Sequence, residues 1–147
     1  MPVVSFATSK GGAGKTTAAI ALATQLAQRN VKVTLMDCDP EQWTASWGRA
    51  AGESQVLPEK LEVVSAPADE NDLLQAIDDA ESRSTIVILD LEGSANAGVG
   101  YAIARSDLVV IPMRASGMDA RAAIKTVRHV MTQRRLLNRE IPMAVLF

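Results

Sequence analysis

Apolar positions along the chain follow two patterns that alternate from one end to the other. Short runs rich in β-branched and large aliphatic side chains occur at residues 3–6, 33–36, 61–64, 85–91, 108–111 and 143–147, and each predicts a strand. The run Ile86-Val87-Ile88-Leu89 has no polar position at all, which suits a strand covered on both faces. Between the first two runs, Ala19, Leu22, Ala23 and Leu26 recur at i, i+3, i+4 and i+7, the spacing of one apolar helix face. A helix over 15–30 follows, and its alanines let it lie close to a sheet. Further crossover helices are predicted over 41–49, 71–80, 97–105 and 118–137. Strict alternation of strand and helix predicts an α/β fold: a doubly wound, mostly parallel sheet with right-handed crossovers. The ligand site of such a fold lies beyond the carboxyl ends of the strands.

Composition narrows this only a little. A chain of 147 residues, 48% hydrophobic and 22% charged, is enough for one compact domain with a real core and does not suit disorder. Internal repeats, low-complexity tracts and a linker between domains are not found, and 52–58 is the expected flexible loop. Strand 143–147 ends with the chain itself, so the expected organisation is a single domain over 1–147 short of C-terminal strands and helices. No basic leader opens the chain, and the apolar stretch 3–7 is far below the roughly 18 residues of a membrane span, so a cytoplasmic location is expected and no membrane contact is evident. Cys38 is the single cysteine, which precludes an internal disulfide. The net charge of −2 gives no global sign of nucleic-acid binding, yet residues 37–92 hold 14 acidic against 3 basic side chains and residues 114–140 hold 7 basic against 2 acidic. Any contact with a polyanion would be local.

The first strand runs into Ser9-Lys10-Gly11-Gly12-Ala13-Gly14-Lys15-Thr16-Thr17, and a helix begins at once. This order of strand, glycine loop and helix makes a phosphate-binding loop: backbone N–H groups turn inward around phosphate oxygens, and the helix N-terminus adds unpaired donors. Gly11, Gly12, Ala13, Gly14, Lys15, Thr16 and Thr17 are the expected nucleotide contacts. Lys15 would neutralise the β- and γ-phosphates and Thr16 would ligate Mg²⁺. The fourth strand ends in Asp90-Leu91-Glu92-Gly93, a Walker B element whose Asp90 would bind Mg²⁺ through water. Gly93 could then approach the γ-phosphate as a switch.

The loop departs from the standard pattern at two places, with Ser9 in place of glycine and an additional lysine, Lys10. Lys-Gly-Gly-x-Gly-Lys-Thr-Thr resembles the deviant Walker A motif of the ParA and MinD ATPases. The resemblance extends through Asp37-Cys38-Asp39-Pro40-Glu41-Gln42, Ser106-Asp107-Leu108-Val109-Val110-Ile111-Pro112 and on to Asp119, and is strongest toward small plasmid-partition proteins of the ParA type. It implies that Lys10 is the signature lysine, reaching across a dimer to the partner's ATP, that Asp39 positions the attacking water, and that Asp37 holds the metal's water shell. It also implies a slow Mg²⁺-dependent ATPase, a homodimer on ATP binding, nonspecific DNA binding and a partner protein that stimulates hydrolysis. Read from the residues alone, Asp39 before Pro40 also fits a helix N-cap.

Over 118–139, Arg121, Lys125, Arg128, Arg135 and Arg139 fall in one stripe beside Ile124, Val127 and Met131. Two readings stand, a solvated helix face and a DNA-backbone contact through Arg121, Lys125 and Arg128. Trp43 and Trp47, one helical turn apart, fit packing of a helix face. His129 has no assigned role. Two other functions share the motifs: a MinD-like membrane switch, which would need a C-terminal amphipathic helix, and a small-molecule phosphoryl-transfer enzyme of the dethiobiotin synthetase type, in which a trans-acting Lys10 has no purpose.

Overall fold

The computed structural model describes residues 2–11 and 14–147. Elements follow in the order β1 (Val3–Phe6), α1 (Lys15–Gln28), β2 (Val33–Cys38), α2 (Trp43–Glu53), β3 (Leu61–Ser65), α3 (Glu70–Arg83), β4 (Ile86–Leu91), α4 (Ala97–Ala104), β5 (Leu108–Pro112), α5 (Gly117–Leu137) and β6 (Met143–Leu146). The six strands form one sheet in the order β3-β2-β4-β1-β5-β6, and every neighbouring pair is parallel. The doubly wound α/β architecture expected from the alternation is the one observed.

Successive side chains of a strand point to opposite faces, and here both faces are covered. Val4, Phe6, Val33, Leu35 and Ile88 meet Ala19, Ala23 and Ala27 of α1 on one side. Val3, Met36, Val87, Leu89, Leu91, Val109 and Ile111 meet Leu73 and Ile77 of α3, Ala102 and Ile103 of α4 and Val130 of α5 on the other. Helix α2 lies against β3 so closely that a Cβ on Gly48 would stand 2.7 Å from Val63 Cβ, which leaves room there for glycine alone.

Topology places the site. The chain leaves β1 toward β2 but leaves β4 toward β5, so the loops after these adjacent strands diverge at their carboxyl ends and open a crevice. Register brings three side chains of that edge level: Asp90 is the Cα partner of Phe6 on β1 and of Asp37 on β2.

Helix α2 begins two residues later than the 41–49 pattern suggested and runs four residues further. Its N-cap is Gln42, in the left-handed region at φ 58°. That conformation is unfavourable for a residue with a Cβ. Two hydrogen bonds hold it: Gln42 Nε2 donates to the Asp39 carbonyl at 2.7 Å, and Ser65 Oγ donates to Gln42 Oε1 at 2.5 Å. Asp39 therefore does not cap α2.

Candidate functional site

The loop after β1 ends at Gly14, whose φ of 88° caps α1 in a conformation that glycine adopts without strain. Gly12 and Ala13, read as part of the nucleotide site, lie outside the described residues. A cavity of about 340 Å³ opens over the start of α1, lined by Lys10, Gly11, Gly14, Lys15, Thr16 and Thr17, with Asp39, Glu41, Trp43 and Gly93 across from them. Asp90 lies beneath it, 1% exposed, at the end of β4. Lys15 Nζ donates to Asp90 Oδ1 at 2.5 Å, while Thr16 Oγ1 and Thr44 Oγ1 donate to Oδ2 at 2.8 and 2.6 Å. Burial of both Lys15 and Asp90 is tolerable because each compensates the other and the remaining lone pairs are used. Thr44 is fully buried in the first turn of α2, and nothing in its sequence context marks it as part of this group.

The two carboxylates after β2 differ in surroundings. Asp37 is fully buried; its Oδ1 accepts the N–H of Asp39 at 3.0 Å and its Oδ2 accepts the N–H of Ala45 at 2.7 Å. Burial pushes its proton affinity above the usual carboxylate range, and the two backbone donors oppose that shift in part. It therefore fixes the loop and the start of α2, and it is not among the side chains lining the cavity. Asp39 does line it. Its Oδ1 accepts the N–H of Glu41 at 3.0 Å, and its Oδ2 stands 4.0 Å from Lys15 Nζ.

Lys10 also lines the cavity, yet its ammonium points to α5, where Asp119 Oδ1 accepts it at 2.5 Å. Gly93 rests on the loop from the other side: a Cβ there would be 3.6 Å from Gly11 N and 3.8 Å from the Lys10 carbonyl carbon. Ahead of it, the Glu92 carboxylate accepts from Ser94 Oγ and Asn96 Nδ2. Trp43, 66% exposed, stands at the rim with its indole N–H donated to Glu41 Oε2, whereas Trp47 packs against the core. One turn of helix separates these two residues, but only Trp47 serves packing.

On α5 the apolar positions that the sequence singled out divide: Val127 is partly buried against the core, while Ile124 and Met131 are not. Its buried residues are Asp119, Ala122, Ala123, Thr126 and Val130, small or β-branched side chains that let the helix approach the sheet. Ile124 and Met131 are about half exposed and Met118 more so, and they share the outer face with Arg121, Lys125, Arg128 and Arg135. Arg139 does not belong to the stripe. It lies beyond the helix, where its guanidinium donates to the carbonyls of Ala104 and Ser106 at 2.6 and 2.7 Å and ties the end of α5 to the end of α4.

The donor set suits a nucleotide and Mg²⁺. Among the described residues no group of three or more His, Cys, Asp and Glu could hold a metal ion by itself. One carboxylate and one hydroxyl beside a phosphate loop are what Mg²⁺ uses when phosphates and water supply its other oxygens.

A family model described as VirC1 protein matches residues 1–147. Protein ParA of Rhizobium radiobacter is 40% identical over 147 residues, which is 100% of this chain and 64% of that protein. The chain thus spans somewhat less than two thirds of that relative's length. A putative plasmid partition protein from Borrelia burgdorferi bound to AMPPNP superposes with a TM-score of 0.76 at 22% identity, over 98% of this chain and 74% of that one. Cobyrinic acid a,c-diamide synthase from Mycobacterium smegmatis, with an ATP analogue and magnesium bound, superposes with a TM-score of 0.75 at 15% identity, over 99% and 72%. These two likenesses are of fold, and a fold shared by a partition protein and a synthase does not choose between their chemistries. The family model and the ParA relative, both spanning this chain from residue 1 to residue 147, do choose: the chain belongs to the VirC1 family of ParA/MinD-type proteins.

Proposed function

We propose that the chain is the nucleotide-binding part of a slow, Mg²⁺-dependent ATPase that dimerises on ATP and serves plasmid or chromosome partition. The observation that carries this reading is the convergence of Lys15, Thr16 and Thr44 on Asp90 beneath the loop, with Asp39 4.0 Å from the same ammonium. When bound, Mg²⁺ would draw charge from the phosphates. Thr16 and Asp90 are the residues to hold it, and Asp37 supports them by setting the loop that carries Asp39. Lys15 exchanges its contact with Asp90 for the β- and γ-phosphates. The loop backbone of Gly11, Gly12, Ala13 and Gly14, with Thr17, cradles them.

Asp39 has one oxygen committed to Glu41 and the other turned to the cavity, the arrangement needed to accept a hydrogen bond from a water and aim it. Asp39→Ala should retain affinity for ATP and Mg²⁺, because Lys15, Thr16 and Asp90 remain, and lose about 10²-fold to 10⁴-fold in turnover. Steady-state hydrolysis with a parallel nucleotide titration measures both. Turnover at the wild-type rate would remove Asp39 from the chemistry.

The mixed outer face of α5 supports a second reading for the surface the switch controls. Met118, Ile124 and Met131 among Arg121, Lys125 and Arg128 form a basic amphipathic face, which is also what an anionic membrane surface takes. Sedimentation with anionic vesicles and with duplex DNA separates the two.

A further inference from the structure

A second cavity, of about 410 Å³, lies between α4, α5 and the segment 92–95. Among the described residues it shares only Gly93 with the cavity over the phosphate loop. Its floor is apolar: Ala7, just after β1, and Val99 and Ile103 of α4 are all buried. One wall is cationic. Lys125, Arg128 and His129 stand at i, i+3 and i+4 on α5, so the helix period sets them side by side. Lys125 and Arg128 are exposed, and among the described residues neither has a carboxylate partner. The acid of the described lining is Glu92, whose carboxylate already accepts from Ser94 Oγ and Asn96 Nδ2. Burial holds the His129 imidazole below its ordinary pKa, so it meets a ligand as a neutral ring with one N–H to donate.

Each half of this cavity excludes a class of occupant. Two cations without acids repel a metal ion, and a wholly apolar molecule would offer nothing against their loss of water. The floor excludes the reverse case. A bare inorganic anion gains nothing from Val99 and Ile103, and a duplex backbone does not reach side chains that are 7% and 0% exposed. An apolar lining with a few placed polar groups, at this size, is what small molecules occupy. We propose that the cavity binds a small organic acid, a phosphate monoester or carboxylate on an apolar body, with its anion at Lys125 and Arg128 and its body against Val99 and Ile103. The site does not depend on what the nucleotide cavity holds. It draws on two of the cations that the DNA reading uses, so the two ligands compete for them.

The chain carries one histidine and two tryptophans. His129 lines this cavity, Trp43 lines the nucleotide cavity and Trp47 packs against the core, so each cavity has its own reporter. The test titrates the full chain with phenyl phosphate and follows by NMR the His129 ring, the Val99 and Ile103 methyls and the Trp43 indole N–H. The first three should move along one binding curve. Arg128→Gln should shift that curve about 10-fold toward weaker binding, the loss expected when a charge-assisted hydrogen bond is removed. Any curve read at Trp43 should keep its midpoint in that variant. Inorganic phosphate should bind at least about 10-fold more weakly than the ester, because it buries no ring. A His129 ring and methyls that stay unmoved overturn the proposal. So does a single curve shared with Trp43 and unaltered in Arg128→Gln, which assigns the ester to the phosphate loop. Inorganic phosphate that binds as tightly as the ester, with duplex DNA displacing both, assigns these cations to a polyanion and overturns the organic ligand.

Discussion

Three aspartates at the carboxyl ends of two adjacent strands serve three ends, and what meets their oxygens decides which. Asp90 gathers an ammonium and two hydroxyls, Asp37 gathers two backbone N–H groups, and Asp39 keeps one oxygen toward the cavity. Asp37→Asn should destabilise the fold, because an amide offers one acceptor where two N–H groups need one each. A buried donor left unpaired costs about 1–3 kcal/mol, readable by denaturant unfolding. The pH dependence has a definite sign. Asp37 binds its proton more readily folded than unfolded, so its ionised form costs stability above the raised value, and that cost is relieved as pH falls to the ordinary carboxylate range. The deficit of the Asn variant should therefore widen as pH falls across that window, and a constant deficit would count against burial as the cause. Asp119 runs the other way: it contributes above the ordinary range and its contribution is lost as pH falls below it. Sequence alone identified Asp37, Asp39 and Asp90 as the carboxylates of the strand ends. It could not rank Asp37 against Asp39, because the difference lies in which oxygen meets the N–H of Ala45, eight residues away.

At the scale of elements, periodicity located every strand and helix, and failed where packing depends on small residues. Ile124, Val127 and Met131 read as the apolar face of α5, yet only Val127 of the three packs against the core; Ala122, Ala123, Thr126 and Val130 are buried there, since a helix lying close to a parallel sheet needs short side chains at the contact. The same need is visible in α2. Gly48 reads as a weak point in a helix, but the structure makes it the contact with β3, and Gly48→Ala would put a methyl 2.7 Å from Val63 Cβ. Helix propensity favours alanine by about 1 kcal/mol, so a neutral surface position would be stabilised by this change. Here overpacking should prevail and cost about 1–3 kcal/mol, measurable as a lower midpoint of thermal unfolding. A raised midpoint would show that α2 can move off β3. Such a shift would carry Thr44 and the N–H of Ala45 away from Asp90 and Asp37, so nucleotide affinity is a second readout of the same change.

Over the whole molecule the charges are segregated, with 14 acidic and 3 basic residues across 37–92 against 2 acidic and 7 basic across 114–140. A polyanion approaching such a chain is steered to one side despite the net charge of −2. That side has less free cation than the sequence count suggests. Arg134 is paired with Glu140, Arg139 is spent on backbone carbonyls and Asp107, and Arg114 stands beside Asp119. Arg121, Lys125 and Arg128 are exposed along one face of α5, which makes them the group to test. Each phosphate they neutralise contributes about 0.9 to the slope of log affinity against log salt. Changing all three to glutamate should therefore flatten the slope by about 3, and should weaken binding to duplexes of any sequence alike. Hydrolysis without DNA should persist, since none of the three lines the nucleotide cavity. If DNA affinity and slope both stay at wild-type values, this face is not the polyanion site. Loss of vesicle binding in the same variant, with DNA binding kept, would assign Met118, Ile124 and Met131 to a membrane surface instead.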